Sequence, residues 1–181
     1  MTGALPAVRP VSASRLAKIA MTGSLALFAL LVAFNNLTDY GSNYQFVRHV
    51  ISMDTIFPGG ALMYRAMDMP VMWHVSYVII IIGELATGIV LSIATVTLIR
   101  MRHSDAASFD RAKRLVHIGV MLGFLVWFSG FMVIGGEWFA MWQSRIWNGQ
   151  EAAFRFFVTM LLVLIYVSQP EPVRVAGSEG A

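Results

Sequence analysis

Glu84 is the side chain whose setting points most directly to chemistry. It stands in VIIIIGELATGIV, a run with no other charge, and a carboxylate in so apolar a stretch is costly unless paired, protonated or facing a polar cavity. Ser76, Glu84, Gly88 and Ser92 recur at multiples of four, with Tyr77 and Thr95 beside them. One face of a helix here is therefore small and polar and suits close packing. Two readings follow: a proton- or ligand-binding carboxylate, or a structural group that holds helices together. Arg155, in AAFRFFVTM, is the partner that charge and geometry favour, because a guanidinium matches a carboxylate in shape. Glu84 lies 15 residues before Ile99 and Arg155 lies 13 before Ser168. Counted from those two helix ends, the residues sit within ~3 Å of the same depth at 1.5 Å per residue. The spacing predicts a Glu84–Arg155 pair; the alternative is that Arg155 reaches out to the membrane surface. Asn35, Asn36 and Ser129 fall near the same level and extend the polar cluster.

The other reactive side chains form weaker patterns. Asp39, His49, Asp54 and Arg65 lie in one polar stretch, Phe34 to Met69. His49, Asp54 and Asp39 have no metal-ligand spacing. His74 begins one hydrophobic run and His117 begins the next from the opposite side, so these two cannot clamp one haem. His49 and His74 share a side and are the only haem b candidates; no pair faces across the membrane interior. No cysteine is present, which removes thiolate catalysis, disulfides and iron–sulfur ligation. No phosphate-binding loop, dinucleotide fingerprint or zinc-protease motif occurs. The twelve methionines are spread along the chain and read as packing material.

Four hydrophobic runs must position these groups. They span about 16–37, 71–99, 115–134 and 152–167, each long enough or nearly so for one membrane crossing. The first is longer than a signal-peptide core and ends in Asn-Asn-Leu-Thr-Asp without a cleavage site, so it reads as an uncleaved span. The second, at 29 residues, measures ~43 Å against a hydrocarbon core of ~30 Å and must tilt or project. Between the first two, Ser42-x-x-Gln45 matches a capping box. Phe46, Val47, Val50 and Ile51 then share one helical face, which predicts an amphipathic helix on the outer surface. Pro58-Gly59-Gly60 ends it, a short helix is expected over 62–67, and Asp68 is placed to cap the next span. SDAASFD reads as a polar loop. Glu137 to Trp147, with Trp138, Trp142 and Arg145 on one face, reads as an interfacial helix. Gly119-x-x-x-Gly123 permits close helix approach in the third span. Residues 1–15 and 169–181 read as disordered tails.

Composition agrees with an all-α, integral-membrane four-helix bundle carrying short amphipathic helices on its outer face. Hydrophobic residues make up 57% and charged residues 13% of the chain, with a mean hydropathy of +0.69; the charged share is about half that of soluble domains. The net charge of +3 sits at the ends of the runs, where it sets topology and offers no nucleic-acid surface. Arg9, Arg15, Lys18, Arg100, Arg102, Arg111, Lys113, Arg114 and Arg174 fall on one side, and only Arg48, Arg65 and Arg145 on the other. Both termini are therefore expected in the cytoplasm, with the Asn35–Met69 stretch facing the periplasm.

Asn35-Asn36-Leu-Thr-Asp39-Tyr40, Asn43, Phe46-Val47-x-His49-Val50 and Met53-Asp54 resemble a bacterial family of predicted small integral membrane proteins known as a domain of unknown function (2165). The resemblance continues through Arg65-Ala66, Glu84, Asn148-Gly149-Gln150 and Ala153-Phe154-Arg155-Phe156, and covers about 17–168. It implies a multi-pass bacterial inner-membrane protein and supplies no activity. Three functional classes remain. The first is a non-enzymatic accessory subunit of a membrane complex, with a protein partner or a second copy beside the lipid bilayer. The second is a small-solute, lipid or proton transporter using Glu84. The third is a haem-binding or lipid-modifying enzyme.

Overall fold

Residues 11–171 are described by the structure, a computed structural model. Four helical segments are long and apolar enough to cross a membrane: Ala13–Thr38, Pro70–Met101, Ala106–Trp138 and Gln150–Ser168. The first is α1 (Ala13–Thr38), followed after Asp39 by α2 (Tyr40–Ser52) and then α3 (Pro70–Met101). The third segment is composite: α4 (Ala106–Ala112), α5 (Arg114–Phe124) and a π-helical stretch, Leu125–Trp138. The last is α6 (Gln150–Ser168). Among the described residues there is no strand. The spans run antiparallel in sequence order, each packed on the next, with α6 closing against α1. Both ends of the described chain therefore meet at one face, the terminal end; α2 and the long loops form the other, the cap end.

Small residues set the helix spacing. Ala26, Ala29 and Ala33 of α1 are buried, and a Cβ added at Gly88 of α3 would come 2.7 Å from the Leu30 side chain. The Gly119-x-x-x-Gly123 pair acts likewise: a Cβ at Gly119 would lie 2.6 Å from Leu91 and one at Gly123 2.6 Å from the Met160 sulfur. Lipid gives little hydrophobic drive between helices, so this close van der Waals approach is what holds the spans together. Phe28, Trp127 and Phe156 fill the centre, with ring centroids 4.7–5.9 Å apart.

Local structure departs from the sequence expectation at several points. Ser42 and Gln45 lie inside α2, which starts at Tyr40, so no capping box forms. Asp68 does not cap α3; Met69 occupies that position without a side-chain bond, and Pro70 opens the helix, where its missing N–H costs nothing. The helix expected over 62–67 is a single 3₁₀ turn, Met63–Arg65. SDAASFD is largely helix, because Asp105 accepts from the Ser108 amide at 2.9 Å and hydroxyl at 2.7 Å and so caps α4. These bonds hold the Asp105 carboxyl below the usual carboxylate range. The interfacial helix expected over 137–147 is absent. The π-helical stretch continues to Trp138, and only the 3₁₀ turn Met141–Gln143 follows, entered through Ala140 in a left-handed conformation (φ 53°).

The tails expected over 1–15 and 169–181 lie mostly outside the described residues. At their inner edges, Arg15 belongs to the first turn of α1, capped by Ser12, and Glu171 is buried.

Candidate functional site

Glu84 lies on the buried face of α3, 2% exposed. Its hydrogen-bond partner is on α1: Asn36 Nδ2 donates to Glu84 Oε2 at 2.7 Å. Asn36 sits in the last turn of α1, where carbonyls lack helical partners, and the Tyr77 hydroxyl donates to its carbonyl at 2.8 Å. A single residue thus ties two positions of α3, two turns apart, to the end of α1. Toward the cap end the cluster continues as aromatic rings. Tyr40 and His74 share a hydrogen bond of 2.8 Å; Tyr44 stacks on His74 at 4.4 Å and Tyr40 meets Tyr77 edge-on at 4.7 Å.

The Glu84–Arg155 pair does not form. Arg155 pairs with Glu151, one turn back on α6, and both side chains are largely exposed, at 70% and 80%. Counting along two helices predicts depth alone, and depth carries no information about which way a helix face turns. Arg155 is on the outside of the bundle, five residues from the start of α6, where a long side chain reaches the surface. Asn35 is exposed, and its carbonyl serves the end of α1. Ser129, in the π-helical stretch, makes no hydrogen bond to Glu84 or Asn36.

The outer-loop residues fasten the cap. His49 Nδ1 approaches Asp54 Oδ2 at 2.7 Å, and because a carboxylate only accepts, Nδ1 carries the proton. The ring stacks on Trp147 at 4.7 Å. Arg65 Nη1 reaches the Glu137 and Trp138 carbonyls at 3.4 and 3.2 Å, and its guanidinium lies 4.6 Å from the Trp138 ring. A cation there satisfies carbonyls left open at the end of the π-helical stretch. Asp39 joins α1 to α2 through its backbone. His49 and His74 are held in separate clusters by separate partners. Among the described residues no group of three His, Asp or Glu side chains could hold a metal ion. Beneath α2 an apolar cavity of about 220 Å³ opens between α3 and the π-helical stretch, with Ser76 as its one hydroxyl-bearing wall residue.

The most elaborate polar cluster lies at the terminal end, and sequence reasoning missed it. Glu171, beyond the end of α6, accepts from Lys18 Nζ at 2.6 Å and Arg15 Nε at 3.0 Å. Lys113 Nζ stands 3.8 Å from the same carboxylate and 2.6 Å from Asp110. The Gln169 carbonyl accepts from both Lys18 and Lys113 at 2.7 Å. Arg15 also donates to the carbonyls of Arg102 and Ser104 and lies over the Phe109 ring. Burial raises the cost of the Glu171 charge, but hydrogen bonds from Lys18 and Arg15 outweigh it and hold the carboxyl below the usual range. Lys18, the third residue of a hydrophobic run and three beyond Arg15, was the available signal; its 1% exposure required tertiary structure.

The family described as "Predicted small integral membrane protein (DUF2165)" matches residues 14–170. No curated protein and no solved structure matches the chain. The match takes in all four spans, the Asn36–Glu84 contact and the loops of the cap, and on it this chain belongs to the DUF2165 family of small integral membrane proteins.

Proposed function

We propose that this protein is a non-enzymatic accessory subunit of a bacterial inner-membrane complex, with both termini cytoplasmic and the cap docking a partner from the periplasmic side. One observation carries this reading: an exposed apolar patch that is already rigid. Phe57 and Trp142 meet edge-on at 6.0 Å, and Ile146 beside them is 76% exposed. The two loops that carry them are cross-tied. The Phe57 amide donates to Gln143 Oε1 at 3.1 Å, and the Thr55 and Ser144 hydroxyls share a bond of 2.9 Å. Exposed apolar patches outside the spans mark surfaces that something covers, and a patch ordered before binding loses little entropy on docking. The test is native purification from mildly solubilised membranes. A stoichiometric partner, or a second copy, should co-purify with the unaltered chain and be lost from the Phe57→Ser/Trp142→Ser variant. Retention by that variant rejects the patch as the contact and leaves it to the headgroup region of the bilayer.

A second reading, small-solute, lipid or proton transport through Glu84, is favoured by a specific feature. The carboxylate is buried in a span, and the partner it has is a neutral amide. An ionisable side chain inside a span is by default a candidate proton or ligand site. If Glu84→Gln leaves thermal stability unchanged and abolishes a growth or transport phenotype, this reading displaces the first.

A further inference from the structure

We propose that the basic cradle at the terminal end is a binding site for a phosphate-bearing anion, of which the headgroup of an anionic phospholipid is the favoured source, and that Glu171 occupies it as a tethered stand-in. Three cations from two elements converge there: Arg15 and Lys18 on α1 and Lys113 at the start of α5. They face two acids, Asp110 and Glu171, and Lys18 and Lys113 are almost wholly buried. With Glu171 in place the cradle carries one uncompensated positive charge; without it, two. Buried cations in that state recruit an anion, because an uncompensated charge held away from water is strongly destabilising.

The two acids are held differently. Asp110 is part of α4 and pairs with Lys113 three residues away. Glu171 lies three residues past the end of α6, outside any helix, held by its carboxylate, by its amide to Asp110 Oδ2 at 3.3 Å and by the Gln169 carbonyl. It can leave without disturbing a single helical hydrogen bond. The place is also right for a lipid. Arg15 and Lys18 lie in the first two turns of α1, Lys113 precedes α5, and Arg100, Arg111 and Arg114 are exposed around the same end. That is the level at which phosphates line a bilayer, and juxtamembrane Lys and Arg clusters attract anionic headgroups. A phosphate offers more acceptor oxygens than a carboxylate and suits a cradle with an arginine and two lysines.

The absence of cysteine makes a clean experiment possible. Gln169→Cys, whose exposed side chain is uninvolved while its backbone carbonyl holds Lys18 and Lys113, carries a spin label on the full chain with Glu171 intact. In phosphatidylcholine nanodiscs the label should be immobile, and phosphatidylglycerol should mobilise it. Mobilisation by phosphatidylglycerol but not inorganic phosphate assigns the site to a membrane lipid; mobilisation by inorganic phosphate as well assigns it to soluble phosphates. Equal mobilisation by chloride at matched ionic strength overturns the proposal, as does a label that stays immobile throughout. Independently, Glu171→Gln should retain phosphatidylglycerol roughly tenfold more tightly through delipidation, within the usual range for ligands coupled at one protein, and Lys113→Met on that background should abolish the gain. A folded Glu171→Gln protein with unchanged retention also overturns it. Where that variant does not fold, the label decides.

Discussion

The two polar clusters of this bundle treat buried charge in opposite ways. At the terminal end three cations and two acids share a dense set of bonds, and the Glu171 carboxylate alone meets two cations at 2.6 and 3.0 Å. Midway along α3, Glu84 has one neutral amide. A charge at the edge of the hydrocarbon can be satisfied by whatever loops and helix ends gather there. A charge inside the bundle has access only to the faces of the neighbouring spans, whose buried residues are mostly apolar. The terminal cluster is therefore where ionic stability should concentrate, and the Glu84 contact is where it should be small and where a functional role has room.

Lys18→Met should break this contrast most severely. It removes the shortest contact to Glu171 and leaves a buried carboxylate underpaired, a change that costs about 3–5 kcal/mol in buried pairs; thermal unfolding in detergent would show it. A loss below about 1 kcal/mol would mean that the cluster is wet and loosely held.

Acid should produce a smaller effect of the same origin. The folded pKa of Glu171 lies below its unfolded value, so its stabilisation is complete above the ordinary glutamate range near ~4.3. It is lost as pH falls through the folded value. Glu171→Gln should flatten that acid limb of the Tm profile, and an unchanged slope would remove Glu171 from the account.

The interior contact should be weaker still. An Asn36→Ala/Glu84→Gln double-mutant cycle should yield a coupling of about 0.6 kcal/mol, the usual size of an interhelical hydrogen bond in a membrane protein. A coupling like that of the terminal cluster would contradict the comparison. Arg155→Gln comes last: its exposed pair with Glu151 should contribute less than about 0.5 kcal/mol, with no coupling to Glu84.

Much of the architecture is legible in the sequence. Four apolar runs, the small-residue faces of α3 and α5, and the polarity around Asn36 and Glu84 follow from composition and period, because lipid permits few ways to satisfy a backbone. Local signals at the cap were less dependable. Ser42 and Asp68 look like helix caps, but the chain runs from α1 into α2 almost without a break, which leaves Ser42 inside α2, and α3 opens at Pro70 with Met69 in the cap position. The π-helical stretch over LVWFSGFMVIGGEW leaves no mark in a sequence that reads as an ordinary span.

What the sequence determined by itself was the membrane class, the number of spans and the presence of a carboxylate inside one of them, since each follows from how many apolar residues stand in a row. What only the tertiary structure decided was partnership. Arg155 and Glu84, matched by counting along the sequence, face different surroundings, while Lys18 and Glu171, 153 residues apart, share a bond. Depth is set by counting along one helix, whereas contact depends on the rotation of two helices about their axes, and that is fixed by the close packing of Gly88, Gly119 and Gly123 against their neighbours.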